Sequence, residues 1–271
     1  MKKRILILGL ITAFNANAAN TCGDDLNNNC WDCSKTADDS CTARLDGTKL
    51  TITGSGEMKD YDWFSEDNKA PWGTDVTSAD ISGVSSVGNY AFKFAKELTD
   101  VRFSDSVKSL GFASFDTTGL ENITLPEKLE IIGNYAFSSS AMRADEIIIP
   151  DSVTTIGAYA FQDSRGLKSI VIGDGVETIG AEAFTRIHDR TVIYCEDNQK
   201  RSCADLINEN NSEVASRLKV YTTDKNGYIR LGDKIYASLN DLPRYVLRRI
   251  YTLEEANAVA GDKNRVSIKY R

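Results

Sequence analysis

VTTIGAYAF, at residues 153–161, is the clearest of five copies of one short motif in this chain. The other copies are VSSVGNYAF (84–92), VKSLGFASF (107–115), LEIIGNYAF (129–137) and VETIGAEAF (176–184). Their closing phenylalanines are 22 to 24 residues apart: Phe92, Phe115, Phe137, Phe161 and Phe184. A period between about 20 and 29 residues indicates one structural unit per repeat, stacked on its neighbours into a solenoid. Such scaffolds present extended surfaces and usually function by binding.

A strand-like segment precedes each motif, and a half copy follows the last one. The segments are VTSADIS (76–82), LTDVRFS (98–104), LENITLP (120–126), DEIIIP (145–150), LKSIVIG (167–173) and TVIYC (191–195). Their pattern, apolar-x-x-apolar-x-apolar, is typical of the strand of a leucine-rich repeat. We therefore expect parallel strands about 4.8 Å apart and a buried ladder made of the five phenylalanines.

One glycine recurs at the same point of every motif: Gly88, Gly111, Gly133, Gly157 and Gly180. It indicates either a positive φ or a close approach of neighbouring backbones at one fixed point of each coil. The second motif is the weakest match, because Ser114 replaces the recurring alanine and Phe112 occupies a slot that is small or polar elsewhere.

Residues 19–75 form a head before the repeats. Within it, TARLDGTKLTITGSG (42–56) predicts a β-hairpin, since Asp46-Gly47 is a strong two-residue turn signal between alternating segments. Four aromatic residues follow: Tyr61, Trp63, Phe64 and Trp72. Because a solenoid needs a cap over its open apolar end, we interpret this group as the cap. An aromatic ligand site is the alternative.

The six cysteines lie outside the five repeats, four of them before and two after. The head cysteines follow the pattern C-x7-C-x2-C-x7-C, which fits two disulfides, a four-thiolate zinc site or a redox C-x-x-C pair. Two structural disulfides are favoured, and we expect the pairs Cys22–Cys41 and Cys30–Cys33. Cys195 and Cys203 are close in sequence and alone at their end, so we expect a third disulfide between them.

Residues 195–271 form a tail with mixed signals. CADLINENNSEVASRL (203–218) predicts one or two short helices, and LKVYTTD (218–224), GYIRLG (227–232) and KIYAS (234–238) predict short strands. TLEEANAVAG (252–261) predicts a capped helix, and NRVSIKYR (264–271) a final strand. The expected fold is mostly β: a solenoid over 76–194 with five repeats and a half repeat, a disulfide-linked β-hairpin cap, and a small α+β C-terminal module.

The first 18 residues, MKKRILILGLITAFNANA, predict a secretory signal peptide. They contain a basic start, about ten apolar residues and the small-x-small pattern Ala16-Asn17-Ala18. The apolar run is too short to span a bilayer, so we expect cleavage near Ala18, a secreted protein (periplasmic, cell-surface or extracellular) and no membrane insertion of the mature chain. Disulfides persist in such compartments. The formal net charge of −7 argues against nucleic acid as a partner.

Alternate residues of the strand-like segments point away from the core and form a candidate ligand-binding face. One outward row is predicted to be Asp80, Arg102, Thr124, Ile148 and Val171. The neighbouring row is Ser78, Asp100, Asn122, Glu146 and Ser169. Ile148 and Val171 would then be adjacent exposed β-branched residues. Ordinary sheet propensity, or cover from the tail, is the alternative explanation for their apolar character.

The residue types do not predict catalysis, a cofactor or a metal site. A Ser-His-Asp triad would have to use His188, the single histidine, and no G-x-S-x-G elbow is present. DKNG (224–227) begins like a calcium loop, but Ile235 stands where the loop requires a glutamate. We therefore predict a non-catalytic protein.

The repeats resemble those of the BspA-like leucine-rich repeat proteins of bacteria. The shared pattern L-x-x-I-x-I-P-x-x-V-x-x-I-G-x-x-A-F is seen best in EIIIPDSVTTIGAYAF (146–161). LTITGSGEMKDY (50–61) followed by APW (70–72) is similar to segments that precede such repeats. The resemblance implies a secreted or surface-exposed, right-handed curved solenoid, and some family members are adhesins. We expect adhesin-like recognition of a protein or a surface glycan, with a structural component of the cell envelope or extracellular matrix as the alternative.

Overall fold

The computed structural model describes residues 22, 29–142, 146–196, 203–223, 229–231 and 234–236. Its strands are β1 (Cys30–Asp32), β2 (Ser40–Asp46), β3 (Lys49–Glu57), β4 (Ser78–Ile81), β5 (Val84–Val87), β6 (Asp100–Phe103), β7 (Ser109–Leu110), β8 (Ile131–Ile132), β9 (Ile147–Ile149), β10 (Thr155–Ile156), β11 (Ser169–Ile172), β12 (Thr178–Ile179), β13 (Val192–Glu196), β14 (Leu218–Thr223), β15 (Ile229–Leu231) and β16 (Lys234–Tyr236). The helical elements of these residues are α1 (Cys203–Asn210) and two 3₁₀ helices, Glu66–Asn68 and Ser212–Arg217. The predicted signal peptide and the elements predicted at 252–261 and 264–271 lie outside the described residues.

The repeats wind into coils that build two parallel sheets, which confirms the predicted solenoid. The longer strands form what we call the strand face, in two groups: β4 with β6, and β9, β11 and β13. The short strands β5, β7, β8, β10 and β12 form a second, continuous sheet. Its register advances by one repeat per strand, so that Thr155 lies between Ile131 and Thr178.

The predicted hairpin of the head is confirmed and starts both sheets. Strands β2 and β3 pair in antiparallel fashion around Asp46 and Gly47, and Gly47 has the positive φ that this turn requires. Lys49–Ile52 of β3 pairs with β4, whereas Gly56 and Glu57 of the same strand pair with β5. One bent strand of the head therefore provides the first rung for both sheets of the solenoid.

The head contains two disulfides, but the pairing expected from the sequence is wrong. Cys22 bonds to Cys30, and Cys33 bonds to Cys41. Strands β1 and β2 are antiparallel with Asp32 opposite Thr42, so the next pair in register is Cys33 and Cys41, whose Cα atoms are 4.8 Å apart. Residues three apart in an extended strand are separated by about 10 Å, too far for the Cys30–Cys33 bridge we had expected. With these four cysteines in disulfides, neither the zinc nor the redox interpretation holds.

The five phenylalanines form one stacked spine through the repeats, as predicted. Neighbouring ring centroids lie 5.0 to 5.7 Å apart with interplanar angles of 5° to 20°. No ring is more than 1% exposed. Burying a phenylalanine stabilises a fold by roughly 1.5–3 kcal/mol, so the spine is a major source of the stability of the solenoid.

Trp72 and Tyr61 close the N-terminal end of this spine. The Trp72 ring lies 5.8 Å from Phe92, and its Nε1 donates a 2.9 Å hydrogen bond to the carbonyl oxygen of Ala91. Tyr61 packs edge-on against Trp72 at 5.1 Å. Phe64, which we had also assigned to the cap, is 83% exposed instead. Its backbone N–H donates to the Asp62 carboxylate, and its ring lies edge-on to Tyr90 at 6.5 Å.

The recurring glycines are required by close backbone approach, not by positive φ. A Cβ added at Gly157 would lie 2.4 Å from the backbone nitrogen of Asn134 in the preceding coil. The positive φ falls two residues later, on Tyr90, Ala113, Tyr135, Tyr159 and Glu182. Backbone N–H groups of these turns donate to carbonyls of the next coil, as Tyr135 does to Ala158 at 2.9 Å. Bonds between coils therefore offset the strain of this conformation.

An outer aromatic file explains the irregular second motif. Tyr90, Phe112, Tyr135 and Tyr159 follow one another with centroids 4.8 to 5.5 Å apart. Phe112 comes from the motif position that is Asn89 in the first copy, yet its ring fills the place between Tyr90 and Tyr135. The second motif thus departs from the consensus but preserves the stack.

The described part of the tail continues the solenoid. Strand β14 pairs in parallel with β13, and β15 and β16 then add antiparallel strands, which confirms the three short strands predicted there. Asn211, after the predicted helix α1, accepts a hydrogen bond from the Phe184 N–H and donates one to the Gly180 carbonyl. This asparagine completes the last turn of the spine. Cys195 is disulfide-bonded, but the side chain of its expected partner, Cys203, lies outside the described residues, so that pairing stays a prediction.

Candidate ligand-binding cleft

Within each of the two groups of the strand face, residues of the same predicted row lie side by side on neighbouring strands. Asp80 lies in register with Arg102, and Ser78 with Asp100. Beyond the interruption, Ile148 lies in register with Val171. Alternation along the strands therefore sets the direction of these side chains, as the sequence indicated.

The strand predicted in LENITLP (120–126) is not formed. Residues 122–126 have no assigned secondary structure, and no ladder joins them to β6 or to β9. Ile123 is only partly buried, whereas its counterparts Val101 and Ile147 are at most 5% exposed. The third coil has therefore moved out of line with the coils on either side, although its short strand β8 stays in the second sheet.

Two features of the sequence account for this departure. In the second repeat, the residue after the strand is Ser104, whose N–H donates a 2.9 Å hydrogen bond to the carbonyl oxygen of Ile81. Pro126 and Pro150 occupy the same position in the third and fourth repeats, and a proline has no N–H to donate. The loop lengths also differ: Ile123 comes eight positions after Phe115, whereas the equivalent step is nine positions from Phe92, Phe161 and Phe184. The step from Phe137 to Ile147 is ten positions. The shorter loop displaces the third strand by one residue relative to the second, and the longer loop displaces the fourth strand by one residue in the opposite direction. The third strand is therefore out of register with both of its neighbours.

The departure opens a cleft of about 520 Å³ between β6 and residues 122–127. This volume is within the range of ligand sites in proteins. Five of the predicted face residues line it: Asp100, Arg102, Asn122, Thr124 and Glu146. The structure thus brings the central part of both predicted rows together. The other five residues of the rows lie outside the cleft: Ser78, Asp80, Ile148, Ser169 and Val171.

The lining is polar and predominantly acidic. Asp100 and Arg102 form an ion pair with 3.4 Å between Oδ2 and Nε, and their side chains are 57% and 75% exposed. An ion pair with this exposure contributes little to stability. Asp105 and Glu127 add two further carboxylates, and their side chains have no hydrogen-bond or ion-pair partner among the described residues. The same holds for the side chains of Asn122 and Thr124. The cleft therefore offers polar groups that are available to a ligand.

Val171 does not belong to an exposed patch, contrary to the expectation. It is 3% exposed, and Ile148 is half-buried. Val171 faces away from the core cluster, which includes its neighbours Ile170 and Ile172. Its partners in register on the strand face are Ile148 and Tyr194. Large side chains about 4.8 Å away on both sides restrict the access of water to a valine.

The repeats of this chain are similar to those of a known protein family. Residues 71–200 match the BspA type leucine rich repeat region in six copies. The repeat region of this chain is a BspA-type leucine-rich repeat. The match confirms the resemblance seen in the motifs. No curated protein matches the chain significantly.

Several solved structures of leucine-rich repeat proteins are similar to this chain. A leucine-rich repeat protein from Eubacterium ventriosum is 24% identical with a TM-score of 0.55, over 75% of this chain and 48% of that protein. The Treponema pallidum (T. pallidum) Leucine Rich Repeat protein is 21% identical with a TM-score of 0.42, over 57% of this chain and 67% of that one. A leucine rich cell surface protein from Faecalibacterium prausnitzii is 16% identical with a TM-score of 0.28, over 56% and 74%. The first similarity supports the fold, and this chain spans about half the length of that relative.

The described residues do not form a metal centre or a membrane-spanning helix. Among the described residues, no three histidine, cysteine, aspartate or glutamate side chains are grouped so as to hold a metal ion. His188 is exposed, and its Nδ1 accepts a 3.0 Å hydrogen bond from the backbone of Arg190. Within the same described ranges, no helix has the length and apolar character needed to cross a bilayer.

The sequence analysis missed part of the cleft. Asp105, Pro126 and Glu127 line it but lie in the turns after the strands rather than in the predicted rows. The signals that could have located it are the two prolines and the loops of unequal length. A proline at this position is part of the repeat pattern, so the coil whose strand does not pair is marked by the coincidence of the prolines with loops of unequal length.

Proposed function

We propose that this protein is exported and acts by noncovalent recognition of a protein or surface glycan at the cleft between β6 and residues 122–127. The observation that supports it most directly is the cleft itself, which interrupts an otherwise regular face and collects five of the ten residues in the two predicted rows. The predicted signal peptide and the two disulfides of the head support export. Recognition in this proposal involves no covalent chemistry.

Rigidity of the scaffold supports the same function. The second sheet runs through the third coil without a break, and the spine is stacked on both sides of Phe115. The cleft therefore exists before a ligand binds, and the ligand does not have to order its walls. Preorganised sites lose less entropy on binding than flexible ones. We further propose that residues 19–75 and 195–271 serve as caps that hold the repeats of 76–194.

The test compares partner capture by three versions of the mature protein. In the first variant, Thr124→Trp places an indole in the cleft at an exposed position. In the second, Thr178→Trp makes the same change at an exposed threonine of the second sheet, on β12. Each protein is immobilised, exposed to bacterial surface and host-matrix extracts, and the bound proteins and glycans are quantified by mass spectrometry.

We expect a defined partner that the native protein and Thr178→Trp retain and that Thr124→Trp loses, with the melting temperatures of all three within a few degrees. Equal capture by the two variants would place recognition elsewhere and would refute the cleft as the binding site. Circular dichroism on each variant provides the control for folding.

A further inference from the structure

We infer that the cleft receives an extended polypeptide strand with basic side chains, which adds to the free edge of β6. This inference deepens the proposed function, since it names the class of partner for the same cleft. It depends on three observations: an unpaired strand edge, the charge of the lining, and a lining whose one described aromatic residue is partly buried.

The edge of β6 that faces the cleft is not used by the described part of the fold. Strand β6 pairs with β4 only, and no backbone hydrogen bond joins Asp100–Phe103 to residues 120–126. In a four-residue strand, about two N–H and two C=O groups point to each side. An edge of this kind is a template for another strand, and adding one is a common way of binding an extended peptide.

The length of the free edge sets the size of the partner segment. Four residues of β6 extend over about 13 Å, so the ladder would hold about four residues of the peptide. The peptide backbone would supply the hydrogen bonds that Pro126, lacking an N–H, cannot donate to β6. Side chains of the peptide would then alternate between the floor of the cleft and its polar rim.

The charge of the lining selects for a basic peptide. Among the described lining residues, four are acidic and one is cationic: Asp100, Asp105, Glu127 and Glu146 against Arg102. The chain as a whole has a net charge of −7, which adds long-range attraction for a cationic partner. An acidic peptide would be repelled by the same groups, so charge provides the specificity that backbone bonding lacks.

The lining is less suited to a neutral glycan. The aromatic residue among the lining residues is Phe103, whose ring packs edge-on against Phe115 at 5.8 Å. Because this ring is partly buried against the core, it offers a sugar less stacking surface than an exposed aromatic side chain would. Recognition by backbone hydrogen bonds and carboxylates therefore fits an extended basic peptide better than a sugar ring.

The probe is a fluorescein-labelled peptide with the sequence Val-Lys-Val-Lys-Val-Lys, acetylated and amidated at its ends, and binding to the full oxidised protein is followed by fluorescence anisotropy. A Val-Glu-Val-Glu-Val-Glu peptide tests the charge. Two further Val-Lys peptides carry N-methyl groups on all valines or on all lysines. Alternate N–H groups of a strand face the same side, so the two methylated peptides block opposite edges.

We expect saturable binding of the Val-Lys peptide, no binding of the Val-Glu peptide, and at least about a tenfold loss for one of the methylated peptides, since each lost hydrogen bond weakens binding severalfold. The protein variant that combines Asp105→Asn with Glu127→Gln should bind about three to ten times more weakly. Its matched control, Asp67→Asn with Asp75→Asn, removes two exposed carboxylates of the head and should bind as the native protein does.

Three results would overturn the inference. Retention of full affinity by both methylated peptides would show that no ladder forms. Equal affinity for the Val-Lys and Val-Glu peptides would show that the carboxylates do not select. Absence of peptide binding, while Thr124→Trp still abolishes capture of a glycan, would reject the basic strand and leave the proposed function standing. The two proposals can therefore fail separately.

Discussion

Replacing Phe137 by alanine tests the idea that one aromatic spine holds the repeats together. Phe137 is fully buried and lies in the middle of the spine. Its ring stacks on Phe115 at 5.6 Å and on Phe161 at 5.5 Å. The change Phe137→Ala removes the ring and breaks both stacked contacts, and the neighbouring coils cannot close the gap because their sheets fix their spacing.

The expected loss of stability follows from these contacts. Truncating a buried phenylalanine to alanine costs about 3–5 kcal/mol, and aromatic pairs add about 0.5–1.5 kcal/mol each beyond burial. The range for truncation already includes the aromatic contacts of a buried ring, so a ring with two such pairs belongs in its upper half, and we expect about 4 to 5 kcal/mol for Phe137→Ala. Phe184 is equally buried but stacks on Phe161 alone within the spine, at 5.7 Å. Phe184→Ala should therefore cost about 1 kcal/mol less.

Urea unfolding of the oxidised protein, followed by far-ultraviolet circular dichroism and tryptophan fluorescence, measures both values. Tyr135→Ala serves as the control, because this half-buried ring belongs to the outer file and stacks on Tyr159. It should cost clearly less than Phe137→Ala. A loss below about 1.5 kcal/mol for Phe137→Ala, or one equal to that of Tyr135→Ala, would refute the spine as the main support of the repeats.

Three further changes test other parts of the fold. The buried hydroxyl of Ser114 has no hydrogen-bond partner, so Ser114→Ala should raise the free energy of unfolding in urea by about 1 kcal/mol, and a loss of stability would contradict this. Gly157→Ala places a Cβ 2.4 Å from a backbone atom of the preceding coil and should lower the melting temperature, at a cost of about 1–3 kcal/mol or more, whereas an unchanged melting temperature would rule out the close approach. Burial raises the pKa of Tyr61 far above its usual value. The folded state therefore keeps a proton that the unfolded chain loses, and stability should fall as the pH rises above about 10. Tyr61→Phe, which also removes a buried hydroxyl without a partner, should show a weaker decline in urea unfolding at pH 10 to 11, and an identical decline would assign the alkaline loss to other groups.

Much of the fold could be predicted from the sequence because its information is local and repeated. The spacing of Phe92, Phe115 and Phe137 requires one buried ring per coil, and the alternation of apolar residues sets which side chains of each strand face inward. Asp46-Gly47 determines a hairpin through the conformation of two residues. These rules depend on period and backbone conformation, which a single chain displays directly.

The cysteine pairing could not be read in the same way. The spacing of the head cysteines allows three pairings, and the choice depends on which residues of β1 and β2 lie opposite each other. The same limit applies to Val171. Its position in an outward row was correct, but its exposure depends on how large its neighbours in adjacent strands are.

The sequence by itself determined a coiled, cross-linked repeat scaffold with two rows of outward residues on its strands. Only the tertiary structure decided that the third strand stays unpaired, that a cleft opens beside β6, and that five of those residues share it. The physical reason is that a strand needs partners on both sides in the correct register. Each local feature is acceptable alone: the two prolines, Pro126 and Pro150, the loop that is one residue too short, and the loop that is one residue too long. Their combined effect, the loss of strand pairing, appears only where they meet between neighbouring coils.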